Sequence, residues 1–287
     1  MAQRRSIIVT GGASGLGKIM SAHFVSRGDA VTIFDINATQ GVAVAAELSG
    51  GRSPDQEEVK FEECDVASWT EQLRAFKAVY ERLGRVDVVV ANAGVSEGGG
   101  RSWMLPDGEE EAEGELGEPE EPRLKVLDVN LLGVVYSVKL ALHYMQRNTP
   151  DTATASRGSI ICTASNVGLY PFSPAPLYTA SKHAVVGLVR SLGPVYGLPH
   201  IGIRINALAP AVLVTNIAGV DGLFDKMIIT PPSTLIAGVE KLLSDASLNG
   251  QVAEIHGDNV TLRPPHEVVD EDTRTNLEEF SRFGYGE

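Results

Sequence analysis

An α/β fold built on one doubly wound parallel sheet is what this sequence predicts, on three observations. Short apolar runs without polar alternation recur along the chain, as in strands buried on both faces. Stretches of helical period separate them. The first run ends in a glycine-rich turn and the second in an acid, Asp35, 18 residues after Gly17. The 287 residues, 43% of them hydrophobic, suffice for one large domain or two small ones. The regular alternation of strands and helices favours a single domain, residues 1–287.

The elements follow in order. Ser6 to Val9 is a buried strand running into Thr10-Gly11-Gly12-Ala13-Ser14-Gly15-Leu16-Gly17. Leu16, Ile19, Met20 and Phe24 then keep helical period, and Gly28 closes that helix. Ala30 to Phe34 is the second strand, ending at Asp35. Strand, glycine turn, helix, strand, acid is the context that makes the turn a Rossmann-type dinucleotide site. Glycines at 11, 15 and 17 allow a tight turn, a close approach to a pyrophosphate and close packing of helix on strand. The helix N-terminus offers free N–H groups to the phosphates. Asp35 would bind both adenosine ribose hydroxyls and repel a 2′-phosphate. No Arg or Lys stands in the loop or directly after Asp35, so NAD(H) is expected over NADP(H). The bland alternative is a glycine turn with no ligand.

Cys64-Asp65-Val66 ends a strand, where Asp65 either meets an adenine edge or caps a turn. Ser68-Trp69-Thr70-Glu71 is a capping box, opening a helix with Leu73, Phe76, Tyr80 and Leu83 inward. Val86 to Val90 is an apolar strand ending in Ala91-Asn92-Ala93-Gly94, small residues beside which a flat cofactor could pass. Residues 97–121 carry nine Glu and one Asp against one Arg, which predicts a solvated loop insertion. Leu124 to Arg147 is a long helix with too many apolar positions for one stripe, hence buried on two sides. Asn130 lies within it. A buried amide there bonds backbone at a local irregularity, or holds a water, or does both. Gly158 to Thr163 is a strand leading to Ser165. A proline-rich connection, Leu169 to Pro176, then delivers the chain to Tyr178. Tyr178 and Lys182 are four apart and share a helix face. An ammonium beside a phenol favours the phenolate, so the pair can serve as a base near neutral pH. Alone it is equally a Tyr and a Lys on a surface helix. Ile201 to Leu208 is the next strand, ending at Ala209-Pro210. Residues 211–234 form a loop and helix region whose apolar residues line a substrate or make core and oligomer contacts. Leu235 to Leu243 is a helix and Gln251 to His256 a final strand.

A net charge of −13 argues against nucleic acid as partner. Cys64 and Cys162 are far apart in apolar settings, as expected of buried thiols in a reducing compartment. No run approaches transmembrane length and the N-terminus leads straight into a strand, so a cytoplasmic enzyme with no membrane partner is expected. There is no metal-ligand spacing to follow.

These motifs together resemble the short-chain dehydrogenase/reductase family over nearly the whole chain. They are Thr10 to Gly17, Asp35, Cys64 to Val66, Asn92 to Gly94, Asp128-Val129-Asn130, Ser165, and Tyr178 with Lys182. Ser181 to Gly187, Arg204 to Ala207 and Leu248 to Gly250 are similar to the 15-hydroxyprostaglandin dehydrogenase branch. The acidic insertion followed by Leu127 to Asn130 is similar to fungal members such as 5′-hydroxyaverantin dehydrogenase. The resemblance implies that Tyr178 is the acid–base group and that Lys182 lowers its pKa and binds the nicotinamide ribose. Ser165 would bond the substrate oxygen, and Asn130 would anchor a water in a proton relay. It implies further that Gly11, Ser14, Gly15, Leu16, Gly17, Asp35, Asp65, Val66, Asn92, Ala93, Gly94, Pro210 and Thr215 border the NAD, with Tyr178 and Lys182. Two departures are visible: Ala211 stands where the family usually has Gly, and Ala91 where it usually has Asn. The expected activity is NAD-dependent hydride transfer on a bulky apolar secondary alcohol or its ketone, in a homodimer or homotetramer, within fungal secondary metabolism. An NADH-dependent carbonyl reductase and a non-catalytic NAD-binding scaffold are the alternatives.

Overall fold

Residues 4–50, 59–97, 122–152, 154–214 and 223–283 are described by the computed structural model. The alternation seen in the sequence closes into one eight-stranded sheet. Its strands are β1 (Ser6–Thr10), β2 (Ala30–Asp35), β3 (Lys60–Glu63), β4 (Val88–Ala91), β5 (Gly158–Thr163), β6 (Ile203–Pro210), β7 (Val252–His256) and β8 (Asn259–Leu262). The order across the sheet is β3-β2-β1-β4-β5-β6-β7-β8. Seven strands run parallel; β8 turns back antiparallel on β7, with His256 opposite Asn259. The expectation that His256 ends the last strand is therefore corrected. β8 alternates exposed and half-buried positions on a sheet edge, which gives it no apolar run to recognise.

β1, β4 and β5 are wholly buried, as their apolar runs require. One core layer lies under α1 (Gly15–Ser26), α2 (Ala38–Ser49) and α7 (Pro232–Ser244), with Ile7, Val9, Phe24, Ile33 and Leu235 at its heart. The other lies under α3 (Trp69–Leu83), α5 (Gly133–Met145) and α6 (Pro176–Tyr196), around Ile8, Phe34, Phe76, Met145 and Val185. α8 (Glu271–Phe283) buries no residue among the described ones.

Two helices differ from the sequence expectation. In α3 the buried positions are Gln72, Ala75, Phe76 and Val79, while Leu73 is exposed. Gln72 draws the register round because its amide donates to Val66 O at 2.6 Å and Gly133 O at 2.9 Å. The capping box is also incomplete. Ser68 Oγ accepts from Glu71 N at 3.3 Å, but Glu71 reaches Asp65 N at 2.8 Å instead of the Ser68 amide. The long helix begins as α4 (Lys125–Leu127), widens into a π turn at Asp128–Leu132 and continues as α5. Over Lys125–Met145 it is long and apolar enough to cross a membrane, which corrects the expectation that no segment is. Val126, Val129, Val134, Val138 and Met145 are buried in the protein itself, so its apolar faces are used as core.

The strand order reverses between β1 and β4, which leaves a crevice beyond their C-terminal ends. The turn after β1, the end of β2 and the segment after β4 all meet there.

Candidate functional site

A cavity of about 720 Å³ occupies this crevice. Gly11, Ser14, Gly15, Leu16, Asp35, Asp65, Val66, Asn92, Ala93 and Gly94 line it, together with Ser165, Tyr178, Lys182 and Pro210. Two expected residues act from behind the wall. Gly17 is buried under the turn, and Asn130 is fully buried. Thr215 lies outside the described residues, as do residues 98–121 of the acidic stretch and 215–222 of the substrate-side region.

The glycine turn has the shape of a phosphate cradle. Gly11 and Gly15 have φ of 63° and 48°, a backbone region that a side chain disfavours. A Cβ on Gly17 would lie 2.1 Å from Gly11 O. Asp35 fixes this turn from the side: Oδ2 accepts from Ala13 N at 3.1 Å and Oδ1 from Asn37 N at 3.0 Å. Its remaining lone pairs face the cavity beside Ile36. Asp65 caps the turn, accepting from Ala67 N at 2.9 Å, and also lines the cavity. These residues fit a dinucleotide: a concave turn with glycines at 11, 15 and 17, a helix N-terminus behind it and a carboxylate at the end of β2.

A hydrogen-bonded lattice holds the strand ends together. Thr10 Oγ1 accepts from Asn92 N and Ala93 N at 2.9 and 3.0 Å. Asn92 donates to Thr10 O at 3.0 Å and accepts from Thr163 Oγ1 at 3.2 Å. Thr163 O in turn accepts from Lys182 Nζ at 2.9 Å. Thr10 and Thr163 thus position the site, although the sequence pattern marked neither for that role.

Asn130 resolves into the backbone option. Its Oδ1 accepts from Val95 N at 2.8 Å, and Nδ2 donates to Val95 O at 2.9 Å and Ser181 Oγ at 3.3 Å. The π turn is the irregularity that allows this reach. Both amide hydrogens are committed to protein, so the second lone pair of Oδ1 is what the side chain has left for a water. Ser181 completes the link by donating to Tyr178 O at 2.7 Å.

Tyr178 is half-buried in the first turn of α6. Ala175 caps that helix with no side-chain bond; instead Glu97 Oε1, 81 residues earlier, accepts from Tyr178 N at 2.7 Å. Burial pushes the Tyr178 phenol above its ordinary pKa, and a hydrogen bond with Ser165 acts the other way. This differs from the expected dominance of the ammonium. Lys182 Nζ lies 5.5 Å from the centroid of the Tyr178 ring and is bonded to Thr163 O. Burial brings its own pKa down from 10.5 to about 8. A buried ammonium costs stability below about pH 8, where it is charged folded and unfolded. That cost is relieved as pH rises towards 10.5, because the unfolded chain then holds more protons. Wild type should therefore gain stability relative to Lys182→Met between those pH values in urea denaturation; parallel curves would contradict the assignment.

Ser165, nearly buried at the start of a 3-10 turn (Asn166–Gly168), accepts from Val167 N at 3.4 Å. Its hydroxyl faces Asn166 Oδ1 at 3.2 Å and Pro210 O at 3.4 Å. Cys162 is fully buried near Lys182, and burial raises both its thiol and that of Cys64 to about 12; both are free and inert. Among the described residues no group of three His, Cys, Asp or Glu is placed to hold a metal.

Residues 5–222 match the family model described as short chain dehydrogenase. The chain is 37% identical over 215 residues to short-chain dehydrogenase/reductase prx4 of Penicillium roqueforti, covering 75% of this chain and 56% of that protein. It thus spans a little over half the length of this fungal relative. To 15-hydroxyprostaglandin dehydrogenase of Homo sapiens, whose name specifies NAD(+), it is 30% identical over 267 residues, covering 86% of this chain and 89% of the other. Its fold is similar to the crystal structure of 3-ketoacyl-(acyl-carrier-protein) reductase from Brucella melitensis complexed with NADH. The TM-score is 0.72 at 20% identity, over 90% of this chain and 98% of that one.

Proposed function

The chain belongs to the short-chain dehydrogenase family, and from that premise we propose that it is an NAD-dependent dehydrogenase acting on a bulky, largely apolar secondary alcohol or its ketone. One observation carries the reading: a single cavity holds the glycine turn and Asp35 at one end and Ser165, Tyr178 and Lys182 at the other. The bound nicotinamide would supply the hydride acceptor or donor. The chain's own residues do the rest. Ser165 and Tyr178, both on the cavity wall, present two hydroxyls to one substrate oxygen. Tyr178 takes the alcohol proton in oxidation and returns it in reduction. Lys182 holds a positive charge beneath the ring and binds the ribose. Asn130 keeps Val95 and, through Ser181, the Tyr178 backbone in register. Phe172, Val212, Leu213 and Met227 supply an apolar substrate wall. The two inert buried thiols suit a cytoplasmic protein, and a homodimer or homotetramer is the assembly we expect.

Titration of NADH fluorescence followed by a turnover screen against polyketide-like and fatty-acid-derived alcohols and ketones tests the reading. Binding without turnover on any of them would favour a non-catalytic scaffold instead. The same screen shows whether reduction dominates, which would make the protein an NADH-dependent carbonyl reductase.

Cofactor choice rests on the Asp35 carboxylate, and the NAD(+) named for the human relative supports it. Asp35→Ala should shift the ratio of kcat/KM for NADP(H) over NAD(H) upward by roughly tenfold or more, the range of one charged contact. It should also lower Tm, because Ala13 N and Asn37 N lose their acceptor. A lower Tm with an unchanged ratio would leave Asp35 a purely structural brace.

A further inference from the structure

From Asn92 to Ser96 the segment after β4 forms one wall of the cavity. It runs close to the residues opposite: a Cβ on Gly94 would lie 3.3 Å from Asn130 Oδ1 and 3.5 Å from Lys182 Nζ. Two arms join this segment to the backbone of Tyr178. The first starts at Val95, whose N–H and C=O are both taken by the Asn130 amide, and runs through Ser181 Oγ to Tyr178 O. The second starts two residues on, at Glu97, whose Oε1 accepts from Tyr178 N at 2.7 Å. Together they close a ring that holds the Tyr178 backbone on its donor side and its acceptor side.

The start of α6 creates the need for the second arm. The first turn of a helix leaves N–H groups without intrahelical partners, and a side chain at the N-cap ordinarily takes one of them. Pro176 at the first position brings no N–H. Thr179 N is served by Ala175 O at 2.9 Å, the first bond of the helix. Tyr178 N is the donor an N-cap side chain would take, and Ala175 makes no such bond. The Glu97 carboxylate takes it instead, at the end of the helix that favours an anion. Glu97 is half-buried and is not part of the cavity wall, so it acts on a ligand only through Tyr178.

A local cap would tie the helix start to its own chain neighbours. This cap ties it to the segment that borders the cavity. We propose that Glu97 is a positioning residue, which couples the place of Tyr178 to that segment and so supports turnover without adding to affinity. This inference rests on the oxidoreductase reading. A displacement of about 1 Å in a reacting group can cost about 100-fold in rate, while the contacts that hold the cofactor elsewhere stay as they are.

Three variants separate reach from charge. Glu97→Gln keeps the acceptor and loses the charge. Glu97→Asp keeps the charge on an arm one methylene shorter, and Glu97→Ala removes both. Rates are measured well below the lowest Tm, on the most active substrate of the turnover screen. Glu97→Ala and Glu97→Asp should lose roughly 10–100-fold in kcat, with KM and NADH affinity within about threefold of wild type. Glu97→Gln should stay within about threefold in all three quantities. Should Glu97→Ala not fold, Glu97→Asp against Glu97→Gln makes the same comparison. An undiminished kcat in Glu97→Ala or Glu97→Asp overturns the proposal. So does a loss in Glu97→Gln as deep as theirs, or a loss of NADH affinity as deep as the loss of kcat. Amide exchange at the start of α6, read by mass spectrometry with and without NADH, does not depend on turnover. NADH should slow it about tenfold in wild type and Glu97→Gln, and by less than about threefold in the other two. That pattern without turnover of any alcohol or ketone upholds the coupling and sinks the oxidoreductase reading. The same slowing in all four proteins, or in none, overturns the coupling.

Discussion

Tyr178→Phe should fold, bind NADH within a few-fold of wild type and lose about 10²–10⁴-fold in kcat, the range for a positioned proton-transfer group. The residue keeps its place on the cavity wall with Ser165, and its ring keeps its contact with Lys182. Loss of one half-buried hydrogen bond costs about 1 kcal/mol, so Tm should move little. Burial already holds the phenol above its ordinary pKa. The group that takes the proton therefore starts protonated at neutral pH, and the oxidative rate should fall as pH is lowered in wild type. Ser165→Ala should cost about 10²–10³-fold, as for one donor to a developing charge. The double variant should be little worse than Tyr178→Phe alone, because the two hydroxyls act on one oxygen. Stopped-flow single turnovers with saturating NADH measure all three. A Tyr178→Phe protein that keeps more than about a tenth of the wild-type rate would remove Tyr178 from proton transfer.

What was legible in the sequence is what is local. The glycine turn, the acid ending β2 and the apolar strands are each written in consecutive residues, and each lies where the pattern puts it. Ser165, Tyr178 and Lys182 come together because β5 and α6 are joined by a short connection of fixed length. The unread parts depend on distant partners. Glu97 caps the helix of Tyr178 across 81 residues, and no spacing rule reaches that far. Lys182 is held by Thr163 O, a backbone atom that side-chain patterns do not show. α2 has no strong sequence signal because its inner face is small: Gly41 packs directly on the Phe61 ring, where a Cβ would meet the ring at 2.1 Å. α8 has amphipathic period but buries nothing, so no packing demand marks its place. Leu73 points outward because the polar Gln72 has two buried carbonyls to satisfy, a demand that hydrophobic period alone cannot register.

The second large effect is expected at Gly17. Gly17→Ala adds one methyl, and that methyl would lie 2.1 Å from Gly11 O and 2.8 Å from Asn92 Nδ2. Neither neighbour is free to move. Gly11 N is bonded to Phe34 O at 2.7 Å, and a Cβ on Gly11 itself would meet Ala93 Cα at 2.8 Å. Asn92 Nδ2 is bonded to Thr10 O, and Asn92 Oδ1 to Thr163, whose carbonyl holds Lys182. The strain is thus passed in two directions, into the glycine turn and along the lattice to Lys182. Overpacking of this kind costs about 1–3 kcal/mol, so Tm should drop by several degrees. Affinity for NADH should fall by about 100-fold or more, since the backbone N–H groups of the turn no longer converge. Gly187→Ala is the matched control: its helix site has nothing within 4 Å of an added Cβ, and the change should raise Tm while leaving NADH binding intact. If Gly17→Ala bound NADH as tightly as Gly187→Ala does, the turn could not be the phosphate site. Ser165, Tyr178 and Lys182 would then have to meet a cofactor held elsewhere in the crevice.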